Sequence, residues 1–141
     1  MRYLGKCHGY YPKDPVMAAK VDFVVENYLG VFYDLNAPGF AAEEAKAALI
    51  DNIFDKILPE MMTKMTPNLK MDKKFLFGDS LTIADFWIGG LYVNLINNPA
   101  VGFAPEKWAK AKVDYPEFTA YGERFTKEMG EYLTTRGARP F

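Results

Sequence analysis

Apolar residues recur at three- and four-residue steps along most of this 141-residue chain, the spacing that places them on one face of an α-helix. Asp14-Pro15 provides an N-cap followed by proline at the first helical position. The apolar face of the helix that follows is broad, which predicts burial on two sides, against the core and against another subunit. Asn36 to Gly39 breaks this helix. The face consists of Met17, Val21, Val24, Tyr28, Phe32 and Leu35, widened by Val25, Leu29 and Val31.

A second helical pattern begins near Ala41, where Glu43 and Glu44 suit the positive end of a helix dipole. Pro59 lies inside this pattern, and an interior proline removes a backbone hydrogen bond. The sequence therefore predicts that the helix kinks or ends at Pro59. Its predicted buried face is Ala45, Ala48, Leu49, Ile53, Ile57 and Met61.

The segment from Phe77 to Phe86 combines a turn with the start of a third helix. Thr82 is placed as N-cap, and Asp85 is placed to reach back to the Thr82 N–H, which makes a capping box with Asp at its third position. Leu81 and Phe86 are placed to form the hydrophobic staple that accompanies such a box. A cap of this kind stabilises a helix by about 1 kcal/mol.

The helix that starts at Thr82 is apolar on nearly every side, which predicts a position at the centre of a bundle. Gly89 and Gly90 each cost about 1 kcal/mol relative to alanine, so we expect a neighbouring helix, or else a ligand, to approach there. Shorter helical patterns follow around Trp108 and from Pro116 to about Leu133. No alternation of period two is long enough for a strand, and the predicted fold class is all-α.

Composition narrows the classes of function. Seventeen basic and eighteen acidic residues give a net charge of −1, which offers no electrostatic attraction to nucleic acid or to an anionic membrane. No apolar run approaches the roughly 20 residues of a membrane-spanning helix. A single cysteine and a single histidine argue against a disulfide framework and a Cys/His zinc site. We expect no nucleic-acid partner, no membrane insertion and a cytoplasmic location, since no signal or transit pattern is present.

The reactive side chains of this sequence favour structural roles. Asp85 is the carboxylate expected to be buried, but its place in the capping box, with no His, Lys or metal partner in the motif, indicates a structural role. Cys7 and His8 are adjacent but lack the third group that activates a nucleophile. The sequence predicts no catalytic, cofactor-binding or metal-ligating residue. Three acidic residues of the second helix are typical of a solvated face: Asp51, Asp55 and Glu60.

Several segments together resemble the all-helical C-terminal domain of the glutathione S-transferase family. The capping-box segment resembles the one that opens that domain's central helix. The resemblance implies a bundle of about five to six helices over residues 14–141, preceded by a remnant of the last N-terminal-domain helix and a linker over residues 1–13. The other segments that carry the resemblance are 2–6, 8–14, 18–22, 115–118, 132–133 and 139–141.

The resemblance also sets expectations for the glutathione site. In the family that site lies in a thioredoxin-like N-terminal domain, nearly all of which is missing if Met1 is the true start. One further contact comes from an Asp on the first helix of the C-terminal domain, and this position falls on Gly30. We therefore expect no cofactor for the chain alone, and glutathione only if the missing domain exists in the native protein.

Other residues are expected to line surfaces. By the resemblance, Phe32, Tyr33 and Phe141 are candidates for the pocket of the hydrophobic co-substrate. Loss of the first domain would uncover apolar residues, including Tyr3, Leu4 and Tyr10, which a protein partner would need to cover. A homodimer through the first two helices is also implied, with Val25 and Leu29 as interface candidates.

The sequence and the resemblance together leave three functions open. The favoured one is a non-catalytic protein-interaction module or structural subunit of a larger assembly. The first alternative is the C-terminal portion of an active glutathione transferase that conjugates glutathione to hydrophobic electrophiles. The second is a carrier of small apolar ligands that uses a pocket between the helices.

Overall fold

The computed structural model describes residues 1–69 and 71–137, which form seven separate helices and no strand. This confirms the predicted all-α fold class. The α-helical segments are α1 (Arg2–His8), α2 (Pro15–Asn36), α3 (Glu43–Asn52), α4 (Leu58–Met65), α5 (Ile83–Leu91), α6 (Ala104–Ala111), α7 (Pro116–Glu128) and α8 (Gly130–Arg136). A π-helical turn, Ile53–Ile57, joins α3 to α4 into one continuous helix, and a second, Tyr92–Ile96, extends α5.

Local signals in the sequence fix both ends of α2. The Asp14 carboxylate accepts a hydrogen bond from the Met17 N–H at 2.7 Å, and Pro15 occupies the first helical position. After Asn36 the chain makes one 3₁₀ turn, Ala37–Gly39. The helix therefore begins and ends where the sequence predicts.

The predicted buried face of the second helical pattern is wrong in its first half. Ala45 and Ala48 are exposed and Leu49 is half-buried, whereas Ile53, Ile57 and Met61 are buried. The reason is that α3 packs mainly on the turns that adjoin it in sequence, and no residue of α3 is buried. Only the part from Ile53 onward reaches the core.

Pro59 does not end the helix. The Leu58 N–H donates to the Ile53 carbonyl five residues earlier, which is the hydrogen bond of a π turn. Because this wider turn comes immediately before Pro59, the helix adjusts there to the missing N–H and to the proline ring.

The central position predicted for α5 is correct. It packs against α2 on one side and α7 on the other, with Ile83, Ala84 and Ile88 completely buried. A Cβ built on Gly89 would lie 2.4 Å from the Phe125 ring, so α7 approaches α5 closely at this glycine. Gly89 is therefore explained by packing.

Residues 1–13 pack on the start of α5 and on α2. Gly5 is buried against Ile83, whose N–H donates to the Tyr10 carbonyl at 2.9 Å. The Arg2 guanidinium pairs with Asp22 at 2.8 Å. The division of the chain at residue 13 into a linker remnant and a helical domain stays a prediction.

Candidate functional site

The Asp85 carboxylate is the most heavily hydrogen-bonded group in the capping segment. The backbone N–H and the hydroxyl of Thr82 both donate to its Oδ2 at 2.8 Å. Its Oδ1 accepts from the Leu76 N–H at 3.0 Å and from the Tyr121 hydroxyl at 3.1 Å. Both halves of the capping box are present, and the Thr82 hydroxyl also donates to Asp85 Oδ2.

These contacts give Asp85 a structural role. Its side chain is completely buried, and burial raises its pKa while the donors from Leu76, Thr82 and Tyr121 oppose that rise. Because the carboxylate is enclosed, no substrate can reach it from solvent.

Phe86, one of the two predicted staple residues, packs edge-on against the Tyr10 ring with the centroids 5.0 Å apart. Leu81 is half-buried, and its staple contact with Phe86 stays a prediction.

A cleft of about 370 Å³, here called cleft A, lies between α2 and the α5 helix. Its aromatic wall is formed by Tyr28, Phe32 and Trp87, and Gly90 and Asn94 lie on the α5 side. The Trp87 ring is 5.2 Å from the Tyr28 ring and 6.4 Å from the Phe32 ring, measured between centroids. Packed aromatic rings of this kind form a rigid apolar surface.

Two of the aromatic side chains that line cleft A carry a polar group. The Trp87 Nε1–H is buried and has no hydrogen-bond partner among the described residues, although a buried indole N–H usually has one. Burial raises the pKa of Tyr28 to about 12, so its phenol stays protonated at neutral pH. Burial of the Trp87 Nε1 atom leaves the aromatic rings themselves to form this wall of the cleft.

A second cleft of about 320 Å³, here called cleft B, lies between α5 and the α7–α8 corner. Phe86, Gly90 and Asn94 line both clefts, which therefore adjoin. Arg136 lines cleft B and its Nη1 donates to Asn94 Oδ1 at 2.5 Å. The Arg136 Nε is buried and has no partner among residues 1–69 and 71–137.

The adjacent glycines of α5 have different roles. The Gly89 side of the helix is filled by Phe125, whereas the atom nearest to a Cβ on Gly90 would be Asn94 Nδ2, at 3.7 Å. A small residue at position 90 leaves space where the two clefts meet. The packing interpretation therefore holds for Gly89, and the ligand interpretation fits Gly90.

Of the three predicted pocket residues, one lines a cleft and one does not. Phe32 lines cleft A, whereas Tyr33 is 83% exposed and does not line it, because neighbouring helical residues point about 100° apart. Phe141 lies outside the described residues. Trp87, Asn94 and Arg136 were missed, since the sequence indicated only an apolar central helix and a closing helix.

One of the two interface candidates is wrong. Val25 is 3% exposed and belongs to the core of this chain, whereas Leu29 is 36% exposed. Tyr3, Leu4 and Tyr10 are exposed in this chain, and their coverage by a partner stays a prediction. Gly30 is also exposed, with no atom within 4 Å of a Cβ built on it.

The described parts of the chain also bear on metal binding and membrane insertion. No group of three or more His, Cys, Asp or Glu side chains there is placed to hold a metal ion. None of the helices described is long and apolar enough to cross a membrane.

The fold and the clefts define a class: an all-helical bundle domain with a ligand-sized apolar cleft beside its central helix. Residues 25–136 match the family model of the glutathione S-transferase C-terminal domain, and the chain therefore belongs to the glutathione S-transferase family through this domain. The match begins inside α2 and ends at the last residue of α8. No match was found among curated proteins.

Proposed function

We propose that this chain is the hydrophobic-ligand half of a glutathione transferase-type protein, which joins glutathione to hydrophobic electrophiles. The supporting observation is cleft A, an apolar space beside the central helix that is lined by the aromatic rings of Tyr28, Phe32 and Trp87. Its volume of about 370 Å³ falls in the usual range for small-molecule sites, which are mostly apolar with a few polar groups.

In this proposal the chain binds and orients the apolar co-substrate. Tyr28, Phe32 and Trp87 would contact its rings or alkyl groups, while the open space over Gly90 would admit it. Glutathione, held by a thioredoxin-like domain, would supply the thiol. Among the residues described here, Gly30 has no side chain with which to contact glutathione, so that substrate would depend on the other domain. A protein of this kind would act in the cytoplasm.

A protein-interaction role is the second candidate, and one observation favours it. Large apolar side chains are exposed on the surface of α1, α2 and the turn that follows, and such a patch often marks a binding surface. A partner protein or a second copy of the chain would cover them. They include Tyr3, Leu4, Val16, Phe23, Tyr33 and Phe40.

The test is binding of a neutral apolar dye, N-phenyl-1-naphthylamine, to the purified chain, followed by dye fluorescence. We expect the Gly90→Leu variant to bind at least about tenfold more weakly, because the new side chain fills the space over position 90. Gly30→Leu is the matched control, since position 30 is exposed and outside both clefts.

Equal binding by the wild type and the Gly90→Leu variant, or no binding by either, would overturn the ligand proposal. Circular dichroism and melting would establish that both variants are folded. If the native protein carries the thioredoxin-like domain, the same Gly90→Leu change should raise the KM for a hydrophobic electrophile and leave the KM for glutathione unchanged.

A further inference from the structure

A third cleft of about 520 Å³, here called cleft C, lies between the π turn before α4 and helix α6, and it shares no lining residue with cleft A or cleft B. Three aromatic side chains from different segments line it: Phe54, Phe103 and Tyr115. The Tyr115 ring stacks on the buried Trp108 ring, with the centroids 6.4 Å apart and the planes at 8°, so its orientation is fixed. Cleft C therefore has the size and the aromatic lining of a small-molecule site.

A smaller cleft of about 160 Å³, here called cleft D, continues from cleft C toward the start of α7. Asp114 and Tyr115 line both clefts, and Glu117 lines cleft D. Among the described residues, no lysine or arginine lines cleft D. A molecule in cleft C can therefore reach a region of negative charge beside the Tyr115 ring.

The lysines that line cleft C do not neutralise that region. Lys107 pairs with Asp51, and Lys110 pairs with Glu106 at 3.3 Å. Each ammonium group thus has a carboxylate partner of its own on the α6 side of the cleft.

The carboxylates of Asp114 and Glu117 differ from those partners. Neither makes a hydrogen bond or an ion pair with another residue in the described part of the chain. The first turn of α7 accounts for Glu117, because an acidic side chain there interacts favourably with the helix dipole. Asp114 precedes the helix, and its charge acts on the neighbouring ring: burial raises the pKa of Tyr115, and Asp114 adds to that rise.

The arrangement is complementary to a cation that carries an apolar group. An ammonium group over the face of an aromatic ring is attracted by the ring, and a carboxylate beside the same ring adds an ion pair. Cleft C supplies the apolar surface, Tyr115 the ring and Asp114 the carboxylate.

We propose that clefts C and D together form a site for an organic cation, a small molecule with an aromatic or aliphatic body and one ammonium group. Its body lies in cleft C against Phe54 and Phe103. Its ammonium group lies over the Tyr115 ring and pairs with Asp114, with Glu117 on the far side. This site is additional to the proposed function, because it uses no residue of cleft A or cleft B.

The experiment compares 2-(1-naphthyl)ethylamine, which is charged at neutral pH, with 2-(1-naphthyl)ethanol, which has the same ring and chain. Each probe is titrated into the purified, ¹⁵N-labelled full chain and followed by the amide signals in heteronuclear NMR spectra. We expect the signals of residues 110–117 to shift and to give a Kd about tenfold lower for the amine than for the alcohol.

Asp114→Asn should raise the amine Kd at these signals about tenfold and leave the alcohol Kd unchanged, because it removes the charge and keeps the shape. Asp114 is exposed and without a partner among the described residues, so the variant should stay folded. Asp34→Asn is the matched control, since Asp34 is exposed on α2 and lines none of the four clefts. A charge reversal, Asp114→Lys, should abolish amine binding at the site while the alcohol still binds.

Equal affinity of the wild type for the two probes at residues 110–117 would overturn the proposal. An amine preference that survives in Asp114→Asn would overturn it as well. Shifts confined to signals of α2 and α5 would place both probes in cleft A, which would overturn the cation site and leave the proposed apolar-ligand function intact.

Discussion

The Tyr121 hydroxyl donates to Asp85 Oδ1 at 3.1 Å, which connects α7 to the first turn of the central helix inside the core. Both side chains are completely buried. The same Oδ1 accepts from the Leu76 N–H, so one carboxylate holds the loop before α5, the start of α5 and the middle of α7. The capping box is therefore also a tertiary contact, which a local motif alone does not imply.

The first prediction concerns removal of the Asp85 carboxylate. Asp85→Ala should lower the free energy of unfolding by about 3–5 kcal/mol, well above the ~1 kcal/mol of a helix cap, because it leaves buried donors of Leu76, Thr82 and Tyr121 unpaired. Urea denaturation followed by circular dichroism measures the change. Tyr121→Phe is the control, with a loss of about 1 kcal/mol, since the carboxylate keeps its other donors.

An Asp85→Ala loss no larger than that of Tyr121→Phe would contradict this role for the carboxylate. It would mean that the hydrogen bonds from Leu76 and Thr82 contribute no more than an ordinary surface cap.

The second prediction is a pH dependence that arises from the same group. Burial raises the pKa of Asp85 above its ordinary value of 3.8, so the folded state binds this proton more tightly than the unfolded state. The resulting stabilisation is fully present below pH 3.8 and is lost as the pH rises through the folded-state pKa. Asp85→Asn does not titrate and lacks this contribution.

The measurement is urea denaturation of the wild type and Asp85→Asn at a series of pH values from 3 to 8. The wild type should lose stability relative to the variant as the pH rises from about 3.8. A stability difference that stays constant, or that changes in the opposite direction, would show that the hydrogen bonds outweigh burial in setting the pKa of Asp85.

The third prediction separates the two adjacent glycines of α5. Gly89→Ala should destabilise the fold by about 1–3 kcal/mol, because its Cβ would lie 2.4 Å from the Phe125 ring. Gly90→Ala has room for its Cβ and should be neutral or stabilising by up to about 1 kcal/mol through helix propensity. Thermal melting of the two variants measures both effects, and equal changes would contradict the assigned packing.

The fourth prediction concerns association. Leu29→Glu should leave the fold intact and weaken self-association or partner binding, because Leu29 is 36% exposed on α2. Val25→Glu should instead unfold the chain, since it places a carboxylate in the core. Sedimentation velocity measures association, and circular dichroism measures folding. If Leu29→Glu stays folded and associates as the wild type does, this part of α2 is not an interface.

The sequence alone determined the helices and several of their ends. Asp14-Pro15, the break after Asn36 and the Thr82–Asp85 box act through hydrogen bonds and φ restrictions between residues close in sequence, so their effect can be deduced without the fold. The apolar character of α5 likewise predicts its central position, because a helix without a polar face must be covered on every side.

Only the tertiary structure decided which apolar faces are covered. Helical periodicity places residues on a common face but does not determine how far a neighbouring helix extends over it. Ala48 is consequently exposed where Ile53 is buried, and Val25 is buried where Leu29 is exposed.

The candidate site depends on the same kind of information. Phe32, Trp87 and Arg136 belong to α2, α5 and α8, and no spacing rule connects residues so far apart in the chain. Gly89 and Gly90 are adjacent residues of the same type, yet Gly89 lies against Phe125 and Gly90 leaves space between clefts A and B. Burial and shape arise from contacts between distant segments, and for that reason the clefts emerged only from the packed helices.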